Sequence, residues 1–441
     1  MKKNFITMCF ILFFVIINIA NANDIAKNLP KVLSEKNFGT EFYSTFHPTL
    51  SENGADEKNV VYVYSEFETQ ATLKIPGAGI EITKDVYPEE VTVFEIDKQN
   101  AQPYVKETRD DPLPDSVWKG RAIIVEAEQP VACYSSSKDA NTTEGSLLMP
   151  FESLGTGYVI SSHEATVLNY MKAPSYASVV AAYDDTEFEI IIGGNNMTET
   201  KSGLKKGDSK IITLDKGDVW MAGTTKDGAD LTGSVIRANK PVAVFGGNSC
   251  AFIGENSTSC DYIFEQEIPV SMWGTKFHIP QITTDKKSVE LRVIASEPNT
   301  EVTLNKESQG IIPQAGGGKD EGWMSLTIDD ELKIYTLTAS APVSIVAYTS
   351  MVNPDDQKAD PFQMNILPDK QMVEETEFYT YGKNTNSETE DNYVTVVFRY
   401  DDVDGESDVD FGEVTTTGTE WESLEGAQGG NIRFFGDQVQ G

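Results

Sequence analysis

Two short signatures return along this chain at intervals of about 110 residues, and such self-similarity points to a series of like units. The first is Gly-Thr-x-aromatic. It stands at Gly39-Thr40-Glu41-Phe42, Gly155-Thr156-Gly157-Tyr158 and Gly274-Thr275-Lys276-Phe277, with a degenerate copy at Glu375-Thr376-Glu377-Phe378. The second is Pro-Val followed by small and apolar residues. It stands at Pro130-Val131-Ala132, Pro241-Val242-Ala243 and Pro342-Val343-Ser344.

Between the signatures each unit carries the same succession of segments. An alternating run, a polar turn and a second alternating run come first, as in Ser178–Tyr183, Asp184-Asp185-Thr186 and Glu187–Ile191. Val289–Ala295 and Glu301–Leu304 repeat the pattern around Ser296–Thr300. Period-two alternation with turn residues between predicts hairpins. A further apolar run precedes each Pro-Val site. The links Ala-Glu-Gln-Pro and Ala-Asn-Lys-Pro predict tight turns, because proline presets φ and lacks a donor, with another hairpin beyond. No stretch of 12 or more residues has helical periodicity. The expected fold is therefore all-β, a tandem series of antiparallel β-sandwich-like repeats of about 110 residues. The units fall at 37–140, 145–262, 263–355 and a partial fourth at 362–441 with an acidic, Gly-rich tail, after a short segment at 23–36. The unfinished fourth unit reads either as a break in a longer protein or as a cap or sorting tail.

Residues 1–22 have the form of a secretory signal: Lys2 and Lys3, an apolar run from Phe5 to Ala20, and small residues at Ala20 and Ala22. That run is short for a bilayer, and no later segment could span one. The remainder is expected outside the cell, secreted or at the cell surface. Its 69 acidic against 35 basic residues repel phosphate backbones, which argues against nucleic acid as a partner. In an oxidising compartment Cys250 and Cys260 can close a small loop, leaving Cys133 in an apolar run as a buried thiol.

The inventory for catalysis is thin. His47, His163 and His278 all follow a Gly-Thr-x-aromatic signature, which favours a structural or surface role. Gly246-Gly247-Asn248-Ser249-Cys250-Ala251 has only one of the two glycines that a nucleophile elbow needs around its serine. Gly316-Gly317-Gly318-Lys319 resembles half a phosphate loop, but Asp320 stands where Ser or Thr would hold magnesium. Both read as ordinary loops, and no catalytic residue or organic cofactor is assigned. Asp402, Asp404, Asp408 and Asp410 alternate around Gly405, as candidate calcium ligands do, although an enlarged acidic hairpin turn is the plainer reading. Asn141, Asn196 and Asn256 begin Asn-x-Thr sequons, which would be N-glycosylation acceptors in a eukaryote.

The stretch Phe245-Gly246-Gly247-Asn248-Ser249-Cys250, then Cys260-Asp261-Tyr262-Ile263-Phe264-Glu265-Gln266, Pro269 and Trp273-Gly274-Thr275-Lys276-Phe277, resembles the signature region of the IgGFc-binding protein N-terminal domain family. Leu148-Met149-Pro150 with Leu154–Tyr158 resembles that family's entry motif one unit earlier. Many members have a histidine where this chain has Tyr262. The resemblance implies a secreted or cell-surface, β-rich module with a Cys250–Cys260 disulfide, and it implies nothing catalytic. The leading expectation is an extracellular binding or adhesion module that presents loops to a protein or glycan, with tandem units adding avidity. A matrix or surface-layer protein that associates with itself is the alternative, and a secreted hydrolase the third.

Overall fold

A computed structural model describes residues 37–50, 58–88, 90–105, 111, 113, 115–138, 142–254, 257, 259–280, 289–328, 334–349 and 361–372, with the backbone pairing of 392–401 and 407–416. The expected secretory signal at 1–22, the degenerate signature at 375–378, Asp402, Asp404, Asn141, Asn256 and the Gly-rich tail lie outside the described residues. The described chain is all-β and antiparallel. Its first sheet holds β1 (Gly39–Ser44), β2 (Lys58–Tyr64), β3 (Thr69–Ile75), β4 (Ile80–Val86), β5 (Thr92–Asp97), β7 (Ile123–Lys138) and β8 (Thr143–Leu147), while β6 (Ser116–Trp118) lies on the connector between β5 and β7. The backbone order is β4-β3-β7-β2-β5, with β1 and β8 also on β7.

The second sheet is built from β9 (Gly155–Val159), β12 (Ser175–Ala181), β13 (Thr186–Ile191), β14 (Ser209–Leu214), β15 (Val219–Gly223), β16 (Val235–Ala251) and β17 (Asp261–Gln266); β10 (Thr166–Leu168) and β11 (Met171–Ala173) form a separate ribbon. The third holds β18 (Gly274–Ile279), β19 (Val289–Ala295), β20 (Thr300–Leu304), β21 (Glu307–Ile312), β22 (Trp323–Ile328), β23 (Tyr335–Thr349) and β24 (Gln363–Ile366). Their orders, β14-β13-β16-β12-β15 and β21-β20-β23-β19-β22, follow that of the first sheet, and β6 adds to the outer edge of β15. A last hairpin joins β25 (Asn392–Asp401) to β26 (Ser407–Thr416). Asp408 and Asp410 lie on β26 opposite Tyr400 and Phe398.

One long strand organises each sheet, and here two local expectations fail. The Pro-Val links are not tight turns: Pro130, Pro241 and Pro342 lie inside the 16-, 17- and 15-residue strands β7, β16 and β23. Each marks the bend where the ladder to the neighbouring strand slips register, between Gly39 and Glu41, Gly155 and Gly157, and Gly274 and Lys276 on the partner side. A residue without an N–H sits there without costing a ladder bond. The paired alternating runs are not hairpins either. β12 pairs with the C-terminal half of β16 and β13 with its N-terminal half, so the long strand lies between them. Asp184-Asp185-Thr186 carries the chain across that strand.

The two recurring signatures meet on these ladders. Gly39 lies opposite Val131, Gly155 opposite Val242 and Gly274 opposite Val343. Glycine is required for packing there: a Cβ would strike Pro150, Pro269 and Pro368 respectively, each of which opens a short 3₁₀ turn.

The sheets are fused. Alternate residues of β12 face two cores, Tyr176 and Val180 packing with Phe42, Val61 and Phe264, and Ala177 and Val179 packing with Trp220 and Ile236. A strand buried on both faces has no polar alternation to show. β19 repeats this, with Leu291 and Val293 in the third core and Ile294 against Val159 and Trp273.

Candidate functional site

The site is built around residues 160–173, which run from β9 into the β10–β11 ribbon. Thr166 pairs with Ala173, Val167 with Lys172 and Leu168 with Met171, leaving Asn169-Tyr170 at the tip. Tyr170 is 71% exposed and Leu168 39%. The ribbon leans on the connector before β16: the Ala165 N–H donates to the Ala229 carbonyl at 2.7 Å, and the Val167 N–H to Asp227 at 2.9 Å. The Asn195 amide donates to the Gly228 carbonyl at 2.7 Å, which sets the exposed Met197 and its neighbour Asn196 on the adjoining turn.

The base of the ribbon is held by the glycine-rich end of β16. Ser162 Oγ donates to the Gly247 carbonyl at 2.5 Å, and the Asn248 amide donates to the carbonyls of His163 and Glu164 at 3.1 and 3.0 Å. Asn248 is itself aimed by the Cys250 N–H, which donates to its Oδ1 at 2.8 Å. A Cβ on Gly246 would fall on the Ser161 carbonyl, so glycine permits the close approach. Cys250 and Cys260 form a disulfide with Cα atoms 5.0 Å apart, tying β16 to β17. Closing so short a loop restricts the unfolded chain by about 3 kcal/mol. Ser249, the serine of the elbow-like run, is buried and donates to the Pro48 carbonyl. Cys133 is buried, and burial pushes its thiol pKa well up.

Behind the ribbon lies an ionic cluster that joins the second sheet to the third. Arg292 on β19 is 1% exposed. Its guanidinium donates to Asp230 at 2.7 Å, Glu164 at 2.8 Å and Glu290 at 3.1 Å, and to the Ser162 carbonyl at 2.8 Å. It also stacks over the rings of Trp323 and Tyr348, 4.6 and 5.0 Å from their centroids. Burial alone would raise the pKa values of Glu164 and Glu290, but Arg292 and His163 outweigh it and hold both well below the usual carboxylate range. His163 Nδ1 lies 3.0 Å from Glu164 and Nε2 3.6 Å from Glu290. Burial and the Arg292 charge lower the imidazole pKa, yet the two carboxylates prevail and raise it above the ordinary histidine value.

The other motifs find structural places. Gly316-Gly317-Gly318 is an interlock: the Gly317 N–H donates to Gly233 and its carbonyl accepts from Gly194 across the same junction. His47 is buried, 2.9 Å from Ser178 with its ring tilted against Tyr176, and burial lowers its pKa. His278 on β18 meets Asp369 at 3.0 Å. Among the described residues no group of three His, Cys, Asp or Glu is arranged to hold a metal ion. Nor is any helix among them long and apolar enough to cross a membrane.

A second carboxylate grips the segment from below. Glu267 accepts from the Ser161 N–H at 2.5 Å and from its Oγ at 2.9 Å, and burial pushes its pKa up to about 8. With the folded pKa above the unfolded value, the contribution of Glu267 to stability is full below about pH 4.5 and is lost as pH rises through 8. The expected slope is at most about 1.4 kcal/mol per pH unit. Denaturant midpoints across pH 4.5–9 should fall less steeply for Glu267→Gln; an unchanged profile would place the titration elsewhere.

The chain is thus a β-rich body of fused sheets with a pinned ribbon and an ionic joint between its second and third sheets. The profile of the IgGFc binding protein family matches residues 144–437, and the chain belongs to that family. The human IgGFc-binding protein is 25% identical over 248 residues, 56% of this chain, and the chain spans only 4% of that protein's length. The matched region contains the ribbon, its glycine-rich clamp and the disulfide. The residues of the clamp stood out in the sequence as the Phe245–Cys250 motif, but Gly246–Ala251, read there as an ordinary loop, is the end of strand β16, and the ribbon and the Arg292 cluster were missed. A lone arginine within the apolar alternation of Val289–Ile294 was the available signal for the second.

Proposed function

We propose that the chain is a secreted, non-catalytic protein-binding module that engages its partner through the tip of the β10–β11 ribbon. The supporting observation is the exposed pair Leu168 and Tyr170 on a ribbon whose base is pinned by backbone, amide and ionic contacts. A large aromatic side chain presented by a pre-organised element is the common form of a binding hot spot. Family membership supports an extracellular binding role and protein partners. Antibody constant regions, which the human relative's name specifies, are one protein class to test. The sequence units at 37–140, 145–262 and 263–355 form one continuous body in this reading, so the ribbon is shown once per chain.

Surface plasmon resonance over a panel of immobilised extracellular proteins and glycans, with IgG Fc among them, tests the proposal. The intact chain is expected to bind at least one protein, and Leu168→Ala/Tyr170→Ala to weaken that binding about tenfold or more with unchanged thermal unfolding. Equal binding by the variant, or binding only to glycans or to the chain itself, refutes the assignment.

A further inference from the structure

We propose that His163 is a proton-operated latch for the β10–β11 ribbon: a proton on its ring fastens the ribbon's base to β19, and its loss loosens the ribbon. The biological consequence rests on the reading of the ribbon as the contact element; the latch itself does not.

The geometry is that of a bridge. His163 and Glu164 are the last residues but one before the ribbon, and the ring of His163 reaches across the junction to Glu290 while touching Glu164 on its own segment. It is 6% exposed. The groups facing it are Glu290 and Arg292 from β19 and Tyr348 from β23, whose ring centroid is 5.6 Å away in an edge-on contact, while Asp230 from the connector before β16 reaches Arg292 behind it. Arg292 supplies one positive charge against the three carboxylates of Asp230, Glu164 and Glu290. A neutral His163 leaves two negative charges in surplus in a partly buried cluster, and a protonated one leaves a single surplus charge while lying within ion-pair distance of both Glu164 and Glu290. The upward direction of its pKa agrees with that count. A raised folded pKa means that the stabilisation is complete below the ordinary histidine value and is lost as pH rises through the folded one. Glu267, which holds Ser161 three residues before the ribbon's base, titrates with the same sign, so the test must separate the two.

Hydrogen exchange of the full chain at pH 5.5 and 8.0, corrected for intrinsic rates, reads the latch without any partner. In the native protein, protection of Ala165 and of the ribbon amides is expected to fall about fivefold or more across that interval. His163→Gln keeps the size and polarity but cannot charge, and its protection should fall clearly less than the native protein's, leaving only the share that Glu267 carries. Glu267→Gln should retain the fall. A fall of native size in His163→Gln overturns the latch, as does a fall lost only in Glu267→Gln. Should His163→Gln not fold, NMR titration of the native imidazole decides. A midpoint above about 6.5, tracked by the ribbon amides, supports the latch, and a midpoint at or below it overturns it. A Tyr170 variant that binds normally would end the contact assignment and leave these outcomes untouched; flat native protection would do the reverse.

Discussion

Arg292→Ala is expected to lower the stability of the joined second and third sheets by about 3–5 kcal/mol, read as a shifted denaturant midpoint. The side chain is buried beside three carboxylates and is the one permanent cation among the described groups facing them, His163 being charged only when protonated. Its removal leaves the 2%-exposed Asp230 carboxylate without its cation and next to two partly exposed ones, and it takes away the cation–π contacts with Trp323 and Tyr348. Arg292→Lys should recover only part of the loss, because an ammonium cannot reach Asp230, Glu164 and the Ser162 carbonyl in one planar fork. A loss below about 1 kcal/mol would mean that the carboxylates are relieved by water, as exposed pairs are.

Gly233→Ala should cost about 3 kcal/mol or more, without touching a charge. Gly233 has φ +87°, where L side chains are strained. An added Cβ would also fall on the Gly317 carbonyl across the junction. Backbone cannot swing aside as a flexible side chain can, so the interlock with Gly317 must open. Gly228→Ala is the control: its φ of +68° carries the same kind of strain, but nothing lies within 4 Å of the added atom. The difference between the two midpoints isolates the interlock. Equal losses would show that backbone strain alone accounts for Gly233.

Much of the scaffold was legible along the chain. Strands such as β13 and β20 alternate buried with less buried positions, so period-two reading located them. β12 and β19 were read as alternating runs too, but both faces of each are covered, and what marks them is their apolar content. Gly39, Gly155 and Gly274 were found as a pattern before their role was known. Their need for glycine comes from Pro150, Pro269 and Pro368, about a hundred residues further on. The ribbon escaped notice because Thr166–Leu168 and Met171–Ala173 are only three residues each, too short for alternation to register.

By itself the sequence determined what is local: extended segments, the absence of long helical periodicity, the acidic composition and the cysteine pair within one short loop. Those properties follow from neighbouring residues, through alternation, proline and glycine geometry, and charge. The tertiary structure alone decided which strands pair, that the Pro-Val elements bend single long strands, and that Arg292, Asp230, His163 and Glu164 meet. Such choices depend on contacts between residues 60 to 130 positions apart, and their energies come from burial and charge compensation, which exist only once the sheets have closed on one another.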